Sequence, residues 1–204
     1  MKKIHVPLLL FTILMVIVGA GCSRAKKSHF MAEADRSFAS GQFDKAEAGY
    51  LDVIHVDPRN AQAIGRLGII YFDEGRYQKA APYLYKGSQL DTNNVDLHLK
   101  LAQIYLSMGM LKEAHNESEF VLDRNPQDSE APVLFAQSVV KQSDVNATQR
   151  QLQALAKNGD SAALETALGV MASNQRDFKT ATANLRRAVA LDSHFAAAYV
   201  ALGN

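Results

Sequence analysis

Between Ala61 and Asn94, apolar and small residues fall on helical spacing in two runs. The first holds Ile64, Leu67, Gly68 and Tyr71; the second, beyond Gly75, holds Tyr77, Ala80 and Leu84. This spacing predicts two amphipathic helices joined at a glycine turn. The pattern then repeats along the chain every 34 residues. Gly75 has counterparts in Gly41 and Gly109, and Ala80 in Ala46 and Ala114. Asp91 has counterparts in Asp57 and Asn125, and Tyr77 in Phe43 and Leu111. A helix pair of this size cannot bury its own apolar face, so the copies must stack on one another.

The residues Ile64, Leu67, Gly68, Tyr71, Ala80 and Leu84 resemble the W-x2-L-G-x2-Y…A-x3-F pattern of tetratricopeptide repeats, with aliphatic residues in the tryptophan and phenylalanine places. The resemblance implies an all-α fold, an α-solenoid of helix-turn-helix repeats forming a right-handed superhelix over 28–204. The repeats are expected at about 27–60, 61–94, 95–128, 129–161 and 162–195, with a partial unit at 196–204.

In repeat one, helix A carries Phe30, Ala34 and Phe38, and helix B carries Phe43, Ala46, Tyr50, Val53 and Ile54. Asp57-Pro58 stops it, because proline disfavours helix in the residue before it. Repeat three carries Leu101, Ala102, Tyr105, Gly109, Leu111, Ala114 and Val121. Small residues at Ala34, Gly68 and Ala102 are expected where helix A meets helix B. Repeat four is degenerate and one residue short. Phe135, Ala136 and Val139 keep its helix A face, Ser143 stands in the turn-glycine place and Thr148 in the helix B alanine place. Repeat five restores the pattern with Leu168, Gly169, Ala172, Phe178, Ala181, Leu185 and Ala188, and Arg176 replaces its turn glycine. Ala196, Tyr199, Leu202 and Gly203 open a further helix A with an apolar outer side. The expectation is a parent protein that continues with more repeats, or an edge that docks on a partner or a second copy.

The N-terminus has a different character. Lys2 and Lys3 precede a thirteen-residue apolar stretch, Leu8 to Ala20. A membrane span needs roughly 20 apolar residues, so residues 1–21 read as a signal peptide. Gly19-Ala20-Gly21-Cys22 resembles the lipobox of bacterial lipoproteins, although glycine stands where that family prefers leucine. The resemblance implies cleavage before Cys22 and lipidation of its thiol. Cys22 is the only cysteine in the chain, and an odd cysteine in an exported protein calls for such an explanation. Residues 22–27 would form a short basic tether; Ser23 to Lys27 spans at most about 18 Å. Serine rather than aspartate after the cysteine points to the outer membrane, facing the periplasm, in a bacterium with two membranes.

Composition narrows the chemistry. Formal net charge is +1, and removal of residues 1–21 leaves 20 basic against 21 acidic residues. Such a balance argues against a nucleic-acid partner. His5, His29, His55, His98, His115 and His194 show no metal-ligand spacing, and His98 sits in the tryptophan place as a structural residue. No P-loop, G-x-S-x-G or G-x-G-x-x-G motif occurs. The expectation is no enzyme, no cofactor and no small-molecule substrate.

In tetratricopeptide domains the A helices line a concave groove that holds an extended peptide or a partner helix. Carried onto this chain, the groove positions are Met31, Asp35 and Phe38; Gly65, Ile69, Phe72 and Asp73; Leu99, Gln103 and Leu106; Val133, Gln137 and Val140; and Thr166, Val170 and Asn174. Gly65 would leave a gap for close approach. The lysines and arginines that clamp a C-terminal carboxylate in the chaperone-tail-binding members are absent from these positions. The resemblance implies a membrane-anchored scaffold that binds a protein or peptide and assembles a bacterial cell-envelope or export complex. The alternative is an adaptor arm of a longer protein whose effector or enzymatic domain lies beyond residue 204.

Overall fold

A computed structural model describes residues 28–139, 142–157 and 159–203. The expected signal peptide, Cys22 with its tether, Val140 and Asn204 lie outside the described residues. The described residues divide into two compact units, the first ending at Asp91 and the second beginning at Thr92. Among the described residues every regular element is a helix.

The first unit holds α1 (28–39), α2 (Phe43–Val56), α3 (Ala61–Asp73) and α4 (Tyr77–Leu90). The turns within each pair are too short for anything but antiparallel neighbours. Gly41 and Gly75 take φ of 71° and 72°, a left-handed conformation that a side chain resists. It lets the Gly75 N–H reach the Phe72 carbonyl at 2.9 Å while the Arg76 N–H reaches that of Tyr71 at 2.8 Å. These two bonds satisfy carbonyls that a helix end otherwise leaves open. Asn60 starts α3 by accepting the Ala63 N–H at 3.0 Å. The core is Tyr50 and Val53 from α2, Ile64, Leu67, Ile70 and Tyr71 from α3, and Ala80 and Leu84 from α4.

Two polar clusters tie the pairs of this unit together. Tyr50 donates its hydroxyl to Asp35 at 2.7 Å, and Gln62 reaches the same carboxylate from α3. Burial, and then the Asp35 bond, push the Tyr50 phenol above its ordinary range. In the second cluster Tyr71 donates to Glu47 at 2.7 Å and Lys79 to the same oxygen at 3.1 Å. The Lys79 ammonium also lies 3.9 Å from the centre of the Tyr71 ring. The Tyr71 bond holds the Glu47 carboxyl below its usual value, partly opposed by burial and helped by Lys79 and Arg76.

The second unit holds α5 (Val95–Ser107), α6 (Leu111–Arg124), α7 (Ala131–Gln137), α8 (Gln142–Lys157), α9 (Ala162–Asn174), α10 (Phe178–Leu191) and α11 (Ala196–Gly203). One cluster of buried side chains runs through α6 to α9: Val121 and Leu122, Phe135 and Ala136, Val145 and Leu152, Leu164 and Met171. The degenerate fourth repeat is therefore continuous with its neighbours in packing. Its turn is not where glycine spacing would put it. Ser143 lies inside α8, and α7 ends after seven residues instead of the thirteen of α5 and α9. Just past the end of α7 stands Ser138, which occupies the register of Ile70, Ile104 and Met171. Those three are fully buried anchors of the last helical turn. Ser138 is equally buried, but its hydroxyl bonds the Phe135 carbonyl at 2.9 Å and meets Nδ1 of His115 at 3.2 Å. Local bonding of this kind competes with helix continuation.

His98 is nearly buried, with Nδ1 2.5 Å from Glu117 and its ring stacked on Phe120 at 3.7 Å. Its other nitrogen, Nε2, is buried without a partner among the described residues.

Arg176 takes φ of 62° at the turn where Gly109 takes 71°. It makes the same closure, with its N–H 2.9 Å from the Ser173 carbonyl and the Asp177 N–H 2.9 Å from that of Ala172. The left-handed conformation costs a non-glycine residue about 1–2 kcal/mol. Glycine gives back part of that relief through unfolded-chain entropy. Arg176→Gly is thus expected to stabilise the protein by about 0.5–1 kcal/mol and to raise the melting temperature by about 1–3 °C, read by calorimetry; an unchanged or lower value would contradict the strain.

Glu47→Gln exchanges a charge-assisted bond for a neutral one and is expected to cost about 1 kcal/mol near neutral pH. A carboxyl held low in the folded state contributes its full share above the ordinary value of 4.5 and loses it as pH falls through the folded value. Denaturant titrations across that window should show wild type and variant converging as the solution is acidified.

Candidate functional site

The helices α5, α7, α9 and α11 are the A helices of the second unit, and a depression lies along the last three. Its larger part is a cavity of about 420 Å³ between α7 and α11, within the size range of ligand pockets. Val133, Leu134 and Gln137 form one wall; Phe195, Ala196, Ala197 and Val200 form the other; Ser129 and Glu130 stand at the end. A smaller cavity of about 160 Å³ continues past Gln137 and Val200 to Val170, Ser173 and Asn174 of α9 and Leu185 of α10. The two share Gln137 and Val200, so they form one channel, apolar in its larger part and mixed in its smaller, where Gln137, Ser173 and Asn174 stand among apolar side chains.

Local sequence explains each wall. Pro132 sits in the first turn of α7, where its missing N–H costs nothing. Asp128 accepts the N–H groups of Glu130 and Ala131, each at 2.9 Å, and so fixes the start of that helix. Ser161 caps α9 by accepting the Leu164 N–H at 3.2 Å. On α11, Ala198 is buried against Ala162 and Ala188, while Val200 is 63% exposed. The side chain of Gln103 on α5 contacts the Glu130 carboxylate.

The expected groove residues divide clearly. Val133, Gln137, Val170 and Asn174 come together around the channel. Leu99 packs against the core cluster, and Leu106 is half-buried. Thr166 does not face the channel: it is fully buried and donates its hydroxyl to the Ala162 carbonyl at 2.7 Å. Its neighbour Glu165 is also buried, with Arg187 Nε 3.2 Å away. Burial pushes the Glu165 carboxyl up and Arg187 draws it back. Helix α9 is thus recessed between α7 and α11.

In the first unit several of the expected groove residues are engaged in intramolecular contacts. Asp35 is engaged by Tyr50 and Gln62. Phe38 is half-buried against Phe43 and Tyr50, with the Arg66 guanidinium 4.5 Å over its ring. Gly65 and Ile69 are buried, so Gly65 leaves no open gap. Phe72 pairs with Tyr77 at 5.4 Å; Met31 is half-buried and Asp73 exposed.

Val200, Phe195 and Glu130 belong to the site but not to the expected set. Val200 was within reach of sequence: it lies 34 residues after Thr166 and 67 after Val133, at the same helix A position. Phe195 and Glu130 precede their helices, where periodicity says nothing. Among the described residues no group of three or more His, Cys, Asp or Glu side chains could hold a metal ion.

Two tetratricopeptide repeat models match the chain, over residues 31–94 and 71–131. The crystal structure of YrrB, a tetratricopeptide repeat protein with an unusual peptide-binding site, superposes with a TM-score of 0.70 at 19% identity, covering 86% of this chain and 91% of that one. MamA from Desulfovibrio magneticus RS-1 superposes with a TM-score of 0.67 at 18% identity, covering 82% of this chain and 96% of that one. Over 82 residues the chain is 29% identical to the human (Homo sapiens) protein O-mannosyl-transferase TMTC1; the match spans 40% of this chain and 9% of that protein's length. The helix pairs, their glycine turns and these likenesses agree: residues 31–131 are tetratricopeptide repeats, and the chain has the fold of a tetratricopeptide α-solenoid.

Proposed function

We propose that this protein is a scaffold that holds a peptide segment of a partner protein in the channel between α7 and α11. The observation that carries the reading is the pair of adjoining cavities joined at Gln137 and Val200, the larger with mainly apolar walls and the smaller with apolar side chains beside Ser173 and Asn174. Apolar walls recognise side chains by area removed from water, about 25 cal/mol per Å². Gln137 is exposed between them, and an amide can both donate to and accept from a peptide backbone. The repeat fold is a protein-interaction fold, and YrrB, which shares it, has a peptide-binding site.

The finer reading places this scaffold at a bacterial envelope, tethered by lipid at Cys22, where it would assemble an envelope or export complex. Its support is the sequence alone: Lys2 and Lys3, the apolar stretch to Ala20 and the small residues before Cys22. Among the described residues no helix is long and apolar enough to cross a membrane.

Two experiments test these statements. Val200→Asp puts a charge into both cavities at an exposed position, so folding should survive. In pull-downs from detergent-solubilised membranes the variant should lose the partner that wild type retains; recovery of the same proteins by both would remove the channel from consideration. Metabolic labelling with palmitate should mark wild type and not Cys22→Ser, and an unlabelled wild type would end the lipid assignment.

A further inference from the structure

Resting on the reading of the channel as a peptide site, we infer that its occupant carries a lysine or arginine beside apolar side chains. Among the residues lining both cavities, Glu130 is the only one with an ionisable side chain. Its position is fixed from both sides. The Glu130 N–H is held by Asp128 at 2.9 Å, and its carbonyl accepts the N–H groups of Val133 at 3.0 Å and Leu134 at 3.2 Å. The Gln103 amide contacts one carboxylate oxygen and orients the group without neutralising it. No ion pair to Glu130 exists among the described residues. Asp128, whose carboxylate accepts the N–H groups of Glu130 and Ala131, adds a second negative charge beside Glu130.

The geometry suits a long basic side chain. Its methylene stem can lie on Val133 and Leu134 while its head reaches the carboxylate at the rim. An acidic residue there would meet like charge beside a low-dielectric wall, which excludes wrong partners more effectively than it strengthens right ones. A neutral apolar segment would fill the walls and leave Glu130 to water.

A phage-displayed library of random dodecapeptides, selected on the full-length chain, tests this directly. Selection on wild type should enrich apolar residues with lysine or arginine next to them at about threefold the input frequency, the discrimination of a partly exposed ion pair. Glu130→Gln should return the basic residues to input frequency while the apolar enrichment persists. Val200→Asp should abolish the apolar enrichment, with circular dichroism confirming that both variants melt as wild type does. Apolar enrichment on wild type without basic residues would overturn the charge inference and leave the channel standing. No enrichment on wild type, or enrichment unaffected by Val200→Asp, would overturn the peptide site itself.

Discussion

The whole stack depends on how closely the two helices of each repeat can approach. A small residue marks that contact in every complete unit, at Ala34, Gly68, Ala102, Ala136 and Gly169. At Gly68 a methyl group would stand 2.8 Å from the Leu84 backbone nitrogen as well as from its side chain. At Gly169 it would stand 2.7 Å from Leu185 and 3.3 Å from the Ala181 carbonyl. A side chain could rotate away from such a clash, but backbone could not, so the helix axes would have to part. Repeat one reaches the same closeness from the other side: Ala34 is on helix A, and the glycine, Gly49, is on helix B, where an added methyl would meet Ala34 at 2.8 Å. The requirement belongs to the pair rather than to either helix.

Once this contact is set, departures elsewhere have local consequences. Ser138 replaces a buried anchor, and helix α7 ends early without breaking the core that runs from Val121 to Met171. Ser173 stands where Phe38 and Phe72 stand in repeats one and two. In those repeats the ring meets Phe43 at 5.8 Å or Tyr77 at 5.4 Å. Phe178, the counterpart of Phe43 and Tyr77, has no ring to meet at Ser173 and is 65% exposed. Each change alters a helix end or a turn, while the helix A to helix B contact is kept.

This explains what the sequence could and could not disclose. Helices, turns and inward faces follow from a period that is written into the chain, which is why Leu67, Ala80 and Gly109 could be placed correctly from residues alone. The turn of repeat four could not, because Ser143 marks it only by counting, whereas α7 already ends at Gln137, beside the buried Ser138. The groove was legible in direction but not in depth. Met31, Gly65, Leu99, Val133, Thr166 and Val200 share one register, and yet they range from fully buried to largely exposed. Periodicity states which way a residue faces; its exposure depends on how far the neighbouring helices on either side lean over it.

That leaning also decides the chemistry of the channel. The A helices from α7 onward carry a single side chain charged at neutral pH, Glu165, which is buried and pairs with Arg187. The basic residues of repeat five sit instead on or before helix B, at Arg176, Lys179, Arg186 and Arg187. With its one internal charge withdrawn and no cation on its walls, the channel takes its electrostatic character from the residue at its end. A carboxylate there acts on a ligand with little competition, because an apolar wall screens it less than water would. Recession of one helix and placement of one glutamate before another are thus sufficient to turn a generic apolar face into a selective one.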